Sequence, residues 1–335
     1  MLERRTFLKG ALGGLVAVSA HGCARSEPDQ VRYDPAAFPR TERSRVAVLR
    51  AEAYDRPLET TVRHGIELSG AEVAGRRVVI KPNLVEFDPA GVINTHPAVI
   101  AATVAALKTL GAREVVVAEG PGHRRDTEYL LDASGLLGAL RDVDARYVDL
   151  NVDAVRPVTL RSRYTALGRL YLPATVLDAD LLVSMPKLKT HHWAGVTLSL
   201  KNMFGIVPGS CYGWPKNVLH WHGIANSILD INAALAMPRL AIVDGIVGME
   251  GNGPIQGVAK PMGVLVFGTD WVSVDATCAR LMELDPSRVD YLRQAGQFLG
   301  NVDEARITQM GEQPGPLARP FAVLDAFADL RLQRT

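Results

Sequence analysis

The chain has 335 residues, 47% of them hydrophobic, and 37 Lys and Arg against 36 Asp and Glu leave a net charge of +1. A near-neutral chain with no basic run argues against non-specific nucleic-acid binding, and this length can bury a large core as one domain or two lobes. Three cysteines, Cys23, Cys211 and Cys278, are too few for a four-cysteine iron–sulfur cluster, and no two stand at metal or redox spacing.

The N-terminus reads Glu3-Arg4-Arg5-Thr6-Phe7-Leu8-Lys9, followed by a mild apolar run from Ala11 to Ala20. Paired arginines ahead of a short Gly- and Ala-rich apolar run form a twin-arginine export signal over residues 1–22, so the export machinery is the first expected partner. Ten apolar residues are too few for a bilayer, which needs about twenty. Two processing outcomes fit the segment. Cleavage before Cys23 followed by its acylation tethers the protein to a membrane; ordinary cleavage after Gly22 releases it outside the cytoplasmic membrane with no membrane contact. This route carries folded proteins, which is compatible with a metal or organic cofactor loaded before export. Residues 23–43, rich in Pro, Ser and charge, read as a linker or N-terminal arm. Residues 44–335 read as the α/β domain.

From residue 44 onward, short β-branched runs alternate with helical patterns. Strands are expected at 46–50, 78–81, 115–119, 147–150, 181–185, 240–244 and 264–268, with helices at 97–110, 223–235 and 271–284. This alternation predicts an α/β fold with a mostly parallel sheet and helices on both faces. Segments 155–160 and 169–172 predict an added antiparallel pair. In open sheets of this kind ligands gather beyond the carboxyl ends of the strands.

The most unusual composition lies between Leu181 and Leu229. No Asp, Glu or Arg occurs there, yet Lys187, Lys189, Lys201 and Lys216 stand beside His191, His192, His220 and His222. Only 8 of the 37 basic residues are Lys, so half of the lysines fall in this one stretch. Lysine differs from arginine in that its pKa falls readily on burial, which lets it act as base or nucleophile as well as anion ligand. The stretch therefore reads as a pocket wall that expects an anion; the competing reading is surface lysines paired with acids elsewhere.

Segment 195–207 reads as a helix that places Thr197, Leu200, Lys201 and Phe204 on one stripe, with Lys201 as the leading catalytic or ligand-binding lysine. His191 is the candidate proton carrier. His192, His220 and His222 are candidate metal ligands, although no His-x-x-x-His spacing is present. Trp193, Trp214 and Trp221, three of the four tryptophans, suit either a stacking wall or core packing. Gly248, Gly251, Gly253 and Gly257 follow the strand at 240–244 and read as a loop whose backbone wraps an anion, with Gly251, Asn252 and Gly253 as contacts. Glu119 and Glu250 are candidate acids, bases or hard-metal ligands, and Lys81 and Asn83 complete the set. Asp270 fits either a cation ligand or the N-cap of the helix behind it. Cys211 and Cys278 fit either a disulfide or two free thiols.

The segments Lys81-Pro82-Asn83, Glu119-Gly120, Asp180 to Lys189, Ser199-Leu200-Lys201-Asn202 and Glu250-Gly251-Asn252-Gly253-Pro254 together resemble the bacterial and archaeal family called domain of unknown function 362. The resemblance runs from about residue 46 to 284. It implies classification more than activity, since the family's activity is not established. Some of its members carry ferredoxin-type cysteines that this chain lacks. A fainter similarity links the family to the nickel-pincer lactate racemase group and raises the expectation of a Lys/His-lined cofactor site.

The expected function is that of an exported enzyme acting on a small carboxylate- or phosphate-bearing molecule. Lys187, Lys189 and Lys201 would hold the anion and a histidine would move protons. The alternative is a non-catalytic envelope protein that binds an anion or a metal.

Overall fold

A computed structural model describes residues 31–122 and 126–332; the export signal and Cys23 lie outside them. The strands are β1 (Ser44–Arg50), β2 (Arg77–Pro82), β3 (Glu114–Glu119), β4 (Arg146–Asp149), β5 (Val155–Thr159), β6 (Arg169–Pro173), β7 (Leu181–Met185), β8 (Lys187–His191), β9 (Gly195–Thr197), β10 (Arg239–Asn252), β11 (Gln256–Gly268) and β12 (Ile307–Gly311). The main sheet runs β12-β1-β11-β10-β7-β2-β3-β4, and β11 is the reversed strand on that path. The expected α/β fold with a mostly parallel sheet is observed. The added antiparallel pair forms between β5 and β6.

The sequence pattern explains why the sheet sits between two layers. Successive strand residues face opposite sides. Val78, Ile80, Val115, Val117, Leu181 and Val183 join one apolar core with Val62, Ile66, Val99 and Val104 of helices Leu58–Ser69 and Pro97–Thr109. Their neighbours Val79, Val116 and Leu182 join a second core with Ile228, Ile231, Val272 and Val274 of helices Ile224–Ala234 and Trp271–Leu281. Both faces are buried, so these strands read as continuous apolar runs. Tyr33 stacks on Phe298 at 4.2 Å and Phe38 meets it edge-on at 5.0 Å, so residues 32–43 lie along the second core.

Two local expectations change. The glycine-rich segment expected as a loop is the far end of the long β10–β11 hairpin, with Gly251 opposite Gly257 and Asn252 opposite Gln256. Its glycines serve close strand approach: a Cβ on Gly248 would stand 2.7 Å from the Leu188 carbonyl oxygen, and one on Gly253 2.1 Å from that of Thr190. The single helix expected at 195–207 is a strand followed by a short turn of helix. Gly195 takes a φ of +77°, β9 pairs back on β8, and the α-helix runs over Ser199–Asn202 and passes into a 3-10 turn over Met203–Ile206. It starts at Ser199 because the Asp275 carboxylate accepts from the Ser199 and Leu200 N–H groups at 2.7 and 3.0 Å. Asp270 is an N-cap, accepting from the Val272 and Ser273 N–H groups, and Cys211 and Cys278 are free thiols.

Candidate functional site

Proline at 186 interrupts a run that would otherwise be one strand. β7 pairs with β2 and the start of β10, and β8 then continues along the outer half of β10 with β9 folded back on it. This extension stands beyond the carboxyl ends of β2 and β3 and walls a cavity of about 590 Å³, a volume suited to a small molecule. Lys81 at the end of β2, Glu119 at the end of β3, Lys189 and His191 of β8, Lys201, Asn202 and Lys216 all line it, with Asn83, His192, His220 and Asn252. A larger groove of about 810 Å³ lies at the opposite end, against Ser44, Leu181 and Arg239 at or near the starts of β1, β7 and β10.

The four lysines of the cavity differ in what holds them. Lys81 Nζ pairs with Glu119 Oε2 at 2.5 Å and donates to Asn202 Oδ1 at 2.7 Å. Asn202 Nδ2 donates back to the Lys81 carbonyl at 3.0 Å, clamping the end of β2 to the short helix. Lys189 Nζ donates to the carbonyls of Ile93 and Pro254 at 2.8 and 3.2 Å. Lys216 Nζ donates to the carbonyls of Gly120, Phe204 and Gly205 at 2.8 to 3.1 Å, using all three of its hydrogens. Lys201 Nζ lies 4.6 Å over the Phe204 ring, and among the described residues no hydrogen bond or ion pair reaches it.

Electrostatics follow from burial and crowding. Desolvation, then the Lys81 charge, brings Lys201 down to about 8. Desolvation, then the charges of Lys201, Lys187 and Lys81, pushes Lys189 well below its ordinary value. Desolvation also lowers Lys216, to about 7, against the pull of the Glu119 charge toward the ammonium form. Glu119 is the buried acid on the wall and is committed to Lys81; Glu86, also lining the cavity, is half-buried.

Hydrogen-bond partners assign the imidazoles. His191 Nδ1 accepts from the N–H groups of Trp193 and Ala194 at 3.0 and 3.2 Å, so its proton sits on Nε2. Burial and then Lys201 hold its pKa far below the usual value, leaving a neutral donor. His192 Nδ1 lies 2.7 Å from the Gly253 carbonyl and His220 Nδ1 3.1 Å from that of Lys216, so both carry the proton there and leave Nε2 as a free acceptor. Asn83 Oδ1 and Thr197 Oγ, both on the wall, are buried with no hydrogen-bond partner among the described residues. A ligand contacting them would satisfy atoms that otherwise carry a desolvation penalty.

Several expected residues lie elsewhere. Lys187 pairs with Asp244 at 2.6 Å and donates to the Tyr54 hydroxyl at 3.0 Å, off the cavity wall. Glu250 pairs with Lys260 at 3.1 Å and accepts from the Ala322 N–H. His222 is off the wall, and Gly251 and Gly253 support β8 through their carbonyls, which accept from the Thr190 hydroxyl and from His192. Among the described residues no three His, Cys, Asp or Glu side chains converge as a metal-ligand group, so His192, His220 and His222 do not form one. Phe204, placed on the Lys201 stripe from the sequence, lines the site, and Gly205 lines it too but carried no signal of its own in the sequence.

Comparison with known proteins agrees with the motifs. Over 276 residues, 78% of this chain and 82% of the relative, the sequence is 28% identical to a thylakoid-associated protein of Synechocystis sp.. A solved structure from Thermotoga maritima aligns with a TM-score of 0.36 at 14% identity, over 64% of this chain and 56% of that one, a likeness too slight to carry an argument. These matches give no support to a lactate racemase relationship. Residues 78–280 match the family described as domain of unknown function (DUF362), from the second strand of the sheet to the helix behind the short Lys201 helix. The chain belongs to that family.

Proposed function

We propose that the cavity binds a small carboxylate- or phosphate-bearing molecule and performs proton-transfer chemistry on it, in a protein exported by the twin-arginine route. The observation that carries the reading is four lysines around one cavity whose buried carboxylate, Glu119, is already neutralised by Lys81. Burial lowers the other three lysines, the Lys81 charge lowers all three further and the Lys201 charge lowers Lys189 and Lys216, and an incoming anion relieves that repulsion. Lys201 is the direct contact because its ammonium is untethered; the Thr197 hydroxyl and the His191 Nε2–H are neutral donors on the same wall. His220, whose Nε2 is free, is the base. The thylakoid association of the Synechocystis relative supports a location at or beyond a membrane, and no helix among the described residues is long and apolar enough to cross one.

Titration calorimetry with inorganic phosphate and with glycolate tests the reading. Micromolar to millimolar binding is expected, and Lys201→Met should weaken it by about tenfold or more, the effect of losing one charged hydrogen bond. Unaltered affinity in Lys201→Met, or no binding of either anion, would overturn it. Retention of ligand without turnover of any carboxylate or phosphate tried would leave binding and remove catalysis.

Affinity should also depend on pH. A bound anion favours the ammonium form, so it raises the Lys201 pKa and binding takes up a proton. Affinity is then flat below about pH 8 on account of this group and falls by about tenfold per pH unit above it. Calorimetry at pH 8 to 9 in two buffers of different ionisation enthalpy should show net proton uptake in the unaltered protein and less in Lys201→Met.

A further inference from the structure

We infer that Lys201 forms a covalent imine with an anion that also carries a carbonyl group, an oxo acid being the simplest class. The inference rests on the anion reading of the same cavity and names its substrate class. It comes from the contrast among the lysines. Lys81, Lys189 and Lys216 are each fixed by a carboxylate or by two or three carbonyl oxygens, so their nitrogens are directed away from any attack. Lys201 Nζ has an aromatic face beneath it, no acceptor among the described residues, and open cavity around it. The Thr197 hydroxyl and the His191 Nε2–H receive the anionic end beside the tethered Lys189 and Lys216, and the untethered Lys201 is free to rotate onto a carbonyl carbon. The lowered pKa of Lys201 adds a standing fraction of free amine near neutrality.

A base stands close by. The His220 ring is 5.2 Å from the Phe204 ring over which Lys201 lies, and Lys201 is among the charges that lower the His220 pKa. In the step itself the Nζ lone pair attacks the carbonyl carbon and the π pair moves to oxygen. His220 Nε2 takes the proton from nitrogen and returns it to oxygen, giving a carbinolamine. The carbinolamine oxygen takes one further proton from solvent, equivalent to the one the Lys201 ammonium gave up to become the free amine, and departs as water, leaving the protonated C=N at Lys201. The carbon keeps its oxidation level, water is the product released, and no oxidant or reductant enters. The protonated imine carries the same single charge as the ammonium it replaces, so the field of the site is preserved.

The test uses the unaltered full chain with glyoxylate, and in parallel with glycolate, which has the same charge and no carbonyl. Borohydride is added and the peptides are mapped by mass. A reduced adduct is expected on Lys201, at least about tenfold faster than on any other lysine, with none from glycolate. Excess glycolate should protect Lys201 in the unaltered protein. Lys201→Arg should abolish the site adduct, with its fold checked by circular dichroism. An adduct spread evenly over the lysines, or lack of protection by glycolate, would overturn the inference. Glycolate binding without a glyoxylate adduct on Lys201 would end the imine and leave the anion reading standing; loss of binding to glycolate and phosphate alike would end both.

Discussion

Glu119→Ala should lower stability by about 3–5 kcal/mol, the effect of leaving one member of a buried ion pair uncompensated. Lys81 and Glu119 are each about 1% exposed and 2.5 Å apart, so neither finds water when its partner is removed. The carboxylate also accepts from the Leu84 N–H at 3.2 Å and the Gly120 N–H at 3.0 Å, and both donors lose their acceptor in the variant. A double replacement, Lys81→Met with Glu119→Leu, removes both charges with similar volume and should recover most of the loss. Urea unfolding midpoints of the three proteins check this. A Glu119→Ala midpoint close to the original would mean that the pair is solvated and that the cavity is less enclosed than its geometry shows. The double variant should bind phosphate differently from the unaltered chain even when its stability returns, because Asn202, beside Lys201 on the short helix, loses its Lys81 Nζ partner.

Gly205→Ala should cost about 1–3 kcal/mol through overpacking and weaken phosphate binding along with it. A methyl at Gly205 would stand 2.1 Å from Glu119 Oε1 and 2.3 Å from Lys81 Nζ, distances that no side chain tolerates, so the ion pair must move. Its displacement breaks the contact to Asn202, whose amide clamps the end of β2 to the helix bearing Lys201. The control is Gly138→Ala, in helix Leu136–Asp142, where a Cβ meets nothing within 4 Å. That change should be neutral or stabilising by up to about 1 kcal/mol. Thermal unfolding and phosphate calorimetry on both variants separate a crowded cavity from a general intolerance of alanine. Equal behaviour of the two would remove Gly205 from the site.

Asp275 links the second core to the cavity. It is fully buried, burial raises its pKa to about 7, and it receives the two N–H groups that start the Ser199–Asn202 helix. An acid whose folded pKa lies above its unfolded value holds a proton more tightly when folded. This group therefore favours the folded state most below about pH 4, and its contribution declines as pH rises toward 7. Asp275→Ala leaves the Ser199 and Leu200 donors unsatisfied and should loosen the placement of Lys201 and Asn202, lowering phosphate affinity without altering any residue that lines the cavity. Unchanged phosphate affinity in a folded Asp275→Ala variant would show that the short helix holds its place without it.

Much of the architecture was legible in the amino-acid order because it depends on neighbours in sequence. The runs at Val78 to Ile80, Val115 to Val117 and Leu181 to Val183 are apolar on both alternating sets of positions, which only a strand covered on both sides requires. The acid-free Lys/His stretch was visible as composition, and with it Lys189, Lys201, Lys216, His191, His192 and His220, all of which line the cavity. What composition cannot rank is which charge finds a partner across the fold. Lys187 and Lys189 share one strand two positions apart, yet Lys187 meets Asp244, 57 residues away, and Lys189 meets carbonyls at Ile93 and Pro254. Glu250 and Glu119 both follow or end strands, but the hairpin brings Lys260 to the first and the parallel pairing of β2 with β3 brings Lys81 to the second. Gly205 is one of 30 glycines and becomes distinctive only when a buried ion pair closes over it. Sequence periodicity sets which segments pair and which faces are buried, since both depend on local backbone geometry. Tertiary packing decides which lysine is left without a partner, since that depends on groups the chain brings together from far apart.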